Sequence, residues 1–561
     1  MNKPRHESRA TSLKFIKKRG WIIALVITAF GFLLRVAGIS EWWLNPDEGI
    51  CFSMLTWADS TKFWTEMAHN AHPPLYYLVI RALGAVTTDF VVIRSLSLLF
   101  GSLAIYAAWL VGKEIVASDQ SASMTGLLSA LFVAASPNAI TMSQLMRPYM
   151  MQLAMLLMAL YMLLRYRNTR QNSCLVWYSV FLSLSLLTHY SSFLALGVLG
   201  ILILSDFAVG RCGLREVIPF LAAHGAPVLI CIGLYLLHLR PRLVGSALAT
   251  EALEGWLAPL MVHSIWDVGA RLYGFMGYML GAHFAGPAAL IWIAGLAVAF
   301  RKRSWTMLII NVAAVGVATL VATMGQYPFG ACRHATWIVA FLIYPVAWML
   351  AQAVTSNHRA KTTAVSMIVT LVIAGVIFDR TVGRKRTSTS PLKEHVLKRS
   401  GMAAIRPVLS PGGIPNTMLM SAQSYYLLLP LYVDERQTAE PSHDGSFFHF
   451  QWASREVIVV QSWNFTVRPD DIEEPNHLYT FVLNVDQQMP RLQLGKQNEV
   501  LMVFGGWSHE TPKRLLLADQ SLPPGVGLIS KKNEAPGLTV FNFDIARYRL
   551  MMREALNRET R

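Results

Sequence analysis

The feature that most constrains this chain is a series of long apolar segments between Trp21 and Phe378. A run of about 20 apolar residues can cross the hydrocarbon core of a bilayer as a helix. Charged residues make up only 15% of the chain, whereas an ordinary soluble domain contains about a quarter. After Arg380 the long apolar segments stop. The sequence therefore predicts an all-α polytopic membrane protein with a C-terminal extramembrane domain.

Eleven apolar runs are candidates for membrane-spanning helices. In chain order they are residues 21–39, 91–111, 123–140, 148–164, 174–187, 191–205, 217–237, 287–300, 305–324, 335–353 and 362–378. The fifth and sixth are short, yet basic loops flank the pair, so we predict two crossings with a turn near His189. A further stretch, 75–86, has twelve residues, fewer than the roughly 17–25 that a span needs.

The distribution of basic residues orients these runs. If 75–86 does not cross, the loops on the N-terminal side of the membrane hold eleven Lys and Arg residues, and the opposite loops after residue 91 hold five. Lys and Arg concentrate in cytoplasmic loops, so we predict a juxtamembrane helix at 75–86. The resulting division is a basic cytoplasmic N-terminus (1–20), a membrane domain (21–379) with outside loops at 40–90 and 238–286, and an outside C-terminal domain (380–561).

The C-terminal region mixes strand-like and helix-like segments. Residues 417–421, 457–460, 500–504 and 538–543 are short apolar runs of the kind that form strands. Residues 424–431 could form a helix directly after the first of them. This order predicts a small α/β domain.

The charge pattern excludes some classes of function. The net charge of +16 could indicate a nucleic-acid partner, but the basic residues cluster in short loops between apolar runs, so contact with membrane lipids explains them and no nucleic acid is expected. No acidic residue before Arg380 lies inside an apolar run. Ion-coupled transporters place carboxylates near the membrane midplane, so this pattern disfavours that class.

A carboxylate pair stands at the predicted outer interface. Asp47 and Glu48 follow Trp42-Trp43 on a turn bounded by Pro46 and Gly49. Tryptophans anchor at membrane–water interfaces, where a carboxylate sees a lower dielectric than in bulk water and is a candidate general base. The alternative is a solvated turn in which acids cap the start of a helix.

Two arginines stand at predicted outer ends of spans, Arg147 in Met-Arg-Pro-Tyr and Arg333 in Ala-Cys-Arg-His. A guanidinium binds two phosphate oxygens and stays protonated. The alternative is snorkelling of each side chain to lipid headgroups. Together with the carboxylate pair, they suit a lipid-linked phosphate substrate.

These motifs resemble a known superfamily. They comprise Asp47-Glu48, His-Pro-Pro-Leu at 72–75, Ile-Arg-Ser-Leu at 93–96, Ser-Gln-Leu-Met-Arg-Pro-Tyr at 143–149, Thr-His-Tyr at 188–190 and Arg333. The pattern resembles the protein O-mannosyltransferase superfamily and its bacterial relatives, polyprenyl-phosphate-sugar glycosyltransferases of the GT-C fold. The resemblance implies a hexosyl- or pentosyltransferase in the bacterial inner membrane, with its active site on the periplasmic side.

The resemblance also implies roles for individual residues. Asp47 would be the catalytic base of an inverting transfer, with Glu48 supporting it. We expect Arg147, Arg333 and Arg94 at the donor phosphate, and assign supporting roles to His72, Tyr149 and His189. The implied partners are a polyprenyl-phosphate-sugar donor and an acceptor that is a cell-surface glycan, a lipid such as lipid A, or a protein.

The chain also departs from the superfamily pattern. Many relatives carry a second acid just before the arginine, but here residues 144–147 read Gln-Leu-Met-Arg. We expect no required cofactor, although Asp47, Glu48 and His72 could supply oxygen and imidazole ligands to a divalent metal. The alternative function is a non-catalytic carrier or scaffold for a lipid-linked saccharide.

Overall fold

The structure is a computed structural model. It describes residues 3–57, 59–70, 72–117, 119–208, 214–243, 257–355, 363, 365–366, 369–370, 397–409, 416–432, 440–441, 447–460, 476–505, 529–535 and 538–550. By internal contacts the chain forms two compact units, the first comprising Met1–Ile39 with Thr61–Thr389 and the second Ser40–Ser60 with Ser390–Arg561. The segment Ser40–Ser60, which the sequence-based division places in the membrane domain, thus packs with C-terminal residues.

Helices dominate the described part of the chain in both units. In chain order the described α-helices are α1 (Lys3–Val36), α2 (Pro46–Thr56), α3 (Ser60–His69), α4 (Leu75–Gly84), α5 (Phe90–Glu114), α6 (Ala122–Ala135), α7 (Pro137–Ser143), α8 (Tyr149–Thr169), α9 (Asn172–Leu186), α10 (Ser192–Ala208), α11 (Leu214–Leu234), α12 (Arg240–Leu243), α13 (Ile265–Leu280), α14 (Ala285–Arg301), α15 (Trp305–Thr323), α16 (Val339–Thr355), α17 (Arg399–Leu409), α18 (Ala422–Leu428) and α19 (Asn476–Gln488). A π-helical turn (Tyr235–Leu239) and 3₁₀ turns (Ala258–Leu260, Ala282–Phe284, Arg333–Ile338, Leu429–Leu431, Leu494–Lys496) complete the described helical segments.

The predicted spans correspond closely to these helices. Within the described residues, seven helices are long and apolar enough to cross a membrane, and α6 with α7 makes an eighth if that bent pair is one span. Ten of the eleven predicted runs coincide with helices, while 362–378 lies largely outside the described residues. The chain turns at His189 between α9 and α10, as predicted, and α4 has only ten residues.

One predicted span, 123–140, is a broken helix rather than a continuous one. It bends by 59° between α6 and α7, where Pro137 supplies no N–H to α6 and Ser136 caps α7 through Ala139 N. Arg35 of α1 is fully buried and donates hydrogen bonds to Val133 O (2.9 Å) and Ala134 O (3.1 Å). The guanidinium therefore satisfies carbonyls near the break in α6.

The second unit contains a seven-stranded mixed sheet. Its strands are β1 (Thr417–Ser421), β2 (Glu440–Pro441), β3 (Phe447–Trp452), β4 (Arg455–Val460), β5 (Glu499–Gly505), β6 (Ile529–Ala535) and β7 (Leu538–Asp544), in the order β2-β3-β4-β1-β5-β7-β6. The central strand β1 pairs in parallel with β4 and β5 and is buried along its whole length, as expected for a strand covered on both faces. The predicted small α/β domain is confirmed, with β2, β3 and β6 added to the predicted strands.

Candidate functional site

The Asp47–Glu48 pair lies in the first turn of α2, within the second unit. Asn45 is the N-cap: its side chain accepts from Glu48 N (2.9 Å), and the Glu48 carboxylate accepts from Asn45 N (3.2 Å), which completes a capping box. Pro46 occupies the first helical position, where a missing N–H costs nothing. Asp47 is only 7% exposed and Glu48 is fully buried.

The capping box separates the roles of the two acids. Glu48 holds the turn together through the backbone of Asn45. Asp47, one residue earlier, lies in the first turn of α2 and takes no part in the capping box. Glu48 therefore caps the start of the helix, as the alternative prediction has it, but the turn is buried rather than solvated.

Within the first unit, the structure brings together a group of cationic and aromatic side chains that we call the His–Arg cluster: His72, Arg147, Tyr149, His189, Arg333 and His334. The rings of His72 and His189 have centroids 4.8 Å apart, and the Tyr149 ring lies 5.0 Å from His189. Arg147 Nη2 donates to His72 Nε2 at 2.9 Å. The segments that meet here are the loop before α4, the start of α8, the turn after α9 and the 3₁₀ turn at 333–338.

Hydrogen bonds determine the tautomers of two of these histidines. Arg147 can only donate, so His72 Nε2 is an acceptor and the ring proton is on Nδ1. Ser191 N donates to His189 Nδ1 (3.1 Å), so the proton of His189 is on Nε2. His72 Nδ1 and His189 Nε2 are both buried and have no hydrogen-bond partner among the residues that the structure describes. Each ring thus has an N–H group that could donate a hydrogen bond to a bound anion.

Electrostatics keep these rings neutral. Burial first and the Arg147 charge second hold the pKa of His72 well below its ordinary value, and neighbouring imidazoles and Arg333 add to the effect. Burial, followed by the charges of Arg147 and Arg333, lowers the pKa of His189 to about 3. The charge in this cluster at neutral pH therefore resides on the arginines, and the imidazoles act as neutral donors.

Hydrogen bonds from several helices position the cluster. Leu75 N at the start of α4 donates to Leu187 O (3.0 Å), which ties the His-Pro-Pro-Leu segment to the His189 turn. Ser97 of α5 donates to Arg147 O (3.2 Å). Gln152 of α8 donates to the hydroxyls of Ser191 (2.6 Å) and Ser192 (2.9 Å). Helices α4, α5 and α8 and the turn between α9 and α10 thus hold the cluster in place.

Sequence reasoning missed parts of this arrangement. Gln152 and His334 were not predicted as site residues, although a lone Gln in a Met- and Leu-rich run is an available signal. Tyr327 donates to His334 O at 3.3 Å, and its ring lies 6.0 Å from the His334 ring. No sequence motif indicates this contact, because the two residues are joined by an irregular loop.

Arg94, predicted at the donor phosphate, makes other contacts. It is fully buried, its Nη1 donates to Ile39 O at 3.1 Å, and its guanidinium lies 5.1 Å from the centre of the Phe90 ring. Arg94 therefore ties α5 to the backbone just after α1, and its place at the donor phosphate stays a prediction.

A divalent-metal site at Asp47, Glu48 and His72 is a further possibility that the sequence offers. In the part of the chain that the structure describes, no three His, Cys, Asp or Glu side chains lie close enough together to hold a metal ion. A separate polar cleft of about 240 Å³ lies between Glu114, Arg167 and Asp206. There Arg167 is paired with Asp206 at 2.6 Å, so its charge is already neutralised.

Comparisons with known proteins agree with the fold. Residues 71–235 match the family model described as dolichyl-phosphate-mannose-protein mannosyltransferase. By sequence, no curated protein matches the chain. Among solved structures, the chain is similar to ArnT from Cupriavidus metallidurans bound to undecaprenyl phosphate, with 13% identity over 93% of this chain and 98% of that chain and a TM-score of 0.52. It also resembles the oligosaccharyltransferase AglB from Archaeoglobus fulgidus in complex with an inhibitory peptide and a dolichol-phosphate, with 11% identity, 85% and 69% coverage and a TM-score of 0.45.

The fold defines a class: the chain has the GT-C fold of membrane glycosyltransferases, with a small C-terminal α/β domain. Within that class, the resemblance to the protein O-mannosyltransferase superfamily is confirmed. The part of the chain that matches the family model runs from α4 to α11 and includes His72, Arg147, Tyr149 and His189 of the cluster.

Proposed function

We propose that this protein transfers a sugar from a polyprenyl-phosphate donor to an acceptor on the periplasmic face of a bacterial inner membrane. The observation that carries the proposal is the His–Arg cluster. The charges of Arg147 and Arg333 both act on His72, and His72 and His189 each hold a buried N–H group that has no partner among the described residues. Such a set suits a phosphate, whose oxygens accept several charge-assisted hydrogen bonds.

Arg147 and Arg333 bind the donor phosphate in this proposal. As the bond between the sugar C1 and the phosphate oxygen breaks, negative charge grows on the phosphate, and the guanidinium and imidazole donors stabilise it. Tyr149 contributes a buried hydroxyl that has no partner within the described residues. Polyprenyl phosphate is the product that leaves.

Asp47 serves as the general base. An acceptor hydroxyl attacks C1 from the face opposite the phosphate, which inverts the configuration, and its proton passes to the Asp47 carboxylate. Glu48 supports the base by holding the α2 turn through its capping box. The acceptor is a cell-surface glycan, a lipid such as lipid A, or a protein, and the sugar is a hexose or a pentose.

The test is transfer by purified protein in lipid nanodiscs, supplied with a panel of labelled polyprenyl-phosphate sugars and envelope acceptors. Asp47→Asn keeps the size of the side chain but removes the base, and we expect transfer to fall about 10²- to 10⁴-fold. The matched control is Asp89→Asn, because Asp89 is the exposed N-cap of α5 and Asn caps a helix equally well. Repeating the assay in EDTA tests the expectation that no metal is needed.

Unchanged transfer by Asp47→Asn would refute the assignment of the base. A wild-type protein that binds polyprenyl phosphate but transfers no sugar from any donor would favour the carrier or scaffold alternative.

A further inference from the structure

The helix that carries Asp47 is built into the C-terminal domain. Helix α2 packs against α18 and the following 3₁₀ turn, Leu429–Leu431. These contacts make Ser40–Ser60 part of the same compact unit as Ser390–Arg561, although more than 300 residues separate them in sequence. The helix that carries the candidate base is therefore packed against residues from the far end of the chain.

Backbone hydrogen bonds join the segment before α2 to α17. Trp43 N donates to Leu397 O at 2.9 Å, and Arg399 N donates to Glu41 O at 3.0 Å. Between them, Trp42 and Lys398 form an antiparallel bridge. This short pairing fixes the direction in which the chain enters α2.

A side-chain hydrogen bond joins the same segment to α18. The indole Nε1 of Trp43 donates to Leu427 O at 2.7 Å. Leu427 is in the last turn of α18, where helix carbonyls lack intrahelical partners. The bond thus satisfies a free carbonyl and places Trp43 four residues ahead of Asp47.

Gly49 sets how closely α2 approaches α18. A Cβ added at Gly49 would lie 2.6 Å from the carbonyl carbon of Tyr426. Real Cβ atoms do not approach a backbone this closely, and backbone cannot move aside as a flexible side-chain end does. Only glycine allows α2 to lie against α18 at this distance, two residues beyond Asp47.

Helix α18 is in turn held rigidly by the sheet. It begins directly after β1, where Ser421 caps its first turn through Ser424 N. Ser424 Oγ donates to Val503 O (2.9 Å) and accepts from Gly505 N (2.8 Å) at the end of β5. The start of α18 is thus fixed to the carboxyl ends of two parallel strands, the edge at which open α/β sheets bind ligands.

We propose that the C-terminal α/β domain is a positioning element for the catalytic base, with Trp43 and Gly49 as positioning residues. The inference rests on the proposed function of Asp47. The domain holds α2 through a continuous series of contacts, from the sheet to α18 and from α18 to the Asp47 turn. Because a displacement of about 1 Å at a catalytic group can cost 10²-fold in rate, loosening this seating lowers turnover without altering the donor-phosphate site.

The test compares two variants that loosen the seating in different ways. Gly49→Ala forces α2 away from the Tyr426 carbonyl, and we expect kcat to fall about 10- to 100-fold. Trp43→Phe keeps an aromatic ring but removes the N–H donor to Leu427, which is worth about 1 kcal/mol, so kcat should fall about fivefold. In both, the KM for the donor and the Kd for polyprenyl phosphate should stay within twofold of wild type. The matched control is Gly316→Ala, since a Cβ at Gly316 of α15 meets nothing within 4 Å.

The outcomes separate this inference from the proposed function. If Asp47→Asn abolishes transfer while Gly49→Ala and Trp43→Phe transfer at the wild-type rate, positioning by the C-terminal domain is refuted and the base assignment stands. If Asp47→Asn transfers normally, the proposed function fails first, and this inference fails with it. Should Gly49→Ala not fold, as judged by loss of polyprenyl-phosphate binding, Trp43→Phe decides: a fall in kcat with unchanged KM supports the inference, and a change in KM alone overturns it.

Discussion

Replacing Arg147 by Gln should weaken the binding of polyprenyl phosphate by about 10- to 150-fold. Arg147 is only 6% exposed, and its Nη2 holds His72 at 2.9 Å. A hydrogen bond to a charged group is worth about 1.5–3 kcal/mol, and each 1.4 kcal/mol changes Kd tenfold. Gln keeps one N–H donor for His72 but has no positive charge. Binding should be weakened rather than abolished, because Arg333 still supplies its charge to the cluster.

Protonation of His72 should not compensate for the lost charge. The Arg147 charge is the second cause of the lowered pKa of His72, so its removal raises that pKa, but burial is the larger cause and remains. His72 therefore stays neutral at pH 7 in the variant, and the predicted loss of affinity applies at that pH.

The assay is isothermal titration of undecaprenyl phosphate into the protein in nanodiscs at fixed ionic strength, because phosphate binding by exposed or partly exposed charges depends on salt. Arg301→Gln is the matched control, since Arg301 is an exposed residue at the end of α14. We expect the control to bind within twofold of wild type. An Arg147→Gln variant that also binds within twofold would refute the assignment of the His–Arg cluster to the phosphate.

Two further predictions concern stability. The pKa of His189 is lowered to about 3 in the folded protein, so as the pH falls below about 6.5 the imidazole is protonated in the unfolded chain but not in the folded one. Between pH 7 and pH 5 this difference should lower the unfolding free energy by about 2 kcal/mol. In chemical unfolding in detergent, His189→Asn should lose about 2 kcal/mol less than wild type over the same pH range. Arg35→Met leaves Val133 O and Ala134 O without their donor and should lower the unfolding free energy by about 2–5 kcal/mol. Equal pH dependence of His189→Asn and wild type would contradict the first, and an unfolding midpoint unchanged by Arg35→Met would contradict the second.

The sequence is a good guide to the helices and a poorer guide to their breaks. Long apolar runs predict helices in a membrane because an α-helix satisfies its backbone hydrogen bonds within one segment, whereas an irregular segment or an open sheet edge in lipid does not. The bend after α6 is encoded in Ser136-Pro137, but hydropathy alone merges both sides of it into one run. Hydropathy does not single out Arg35 either, since one charge scarcely changes the mean hydropathy of a span.

The sequence predicts which residues belong to the candidate site, but not which of their side chains lie close together. His72, Arg147, Tyr149, His189 and Arg333 all stand in short motifs that the resemblance singles out. Their tautomers and pKa directions depend on which atoms meet where four separate segments of the chain come together, and no motif contains that information. For Arg94, the motif predicts a place at the donor phosphate, and the structure adds that its Nη1 donates to a backbone carbonyl.

The sequence by itself determined that the chain is a polytopic helical membrane protein with an α/β domain at its C-terminal end, because hydrophobic length and strand periodicity are local properties. It also offered, as one alternative for Asp47 and Glu48, a turn in which acids cap the start of a helix, and the capping box at Asn45 and Glu48 is of that kind. Only the tertiary structure decided that this turn packs with the C-terminal domain and that two neutral histidines offer free N–H groups beside Arg147. Both depend on contacts between residues far apart in the chain, which folding creates and local pattern does not specify.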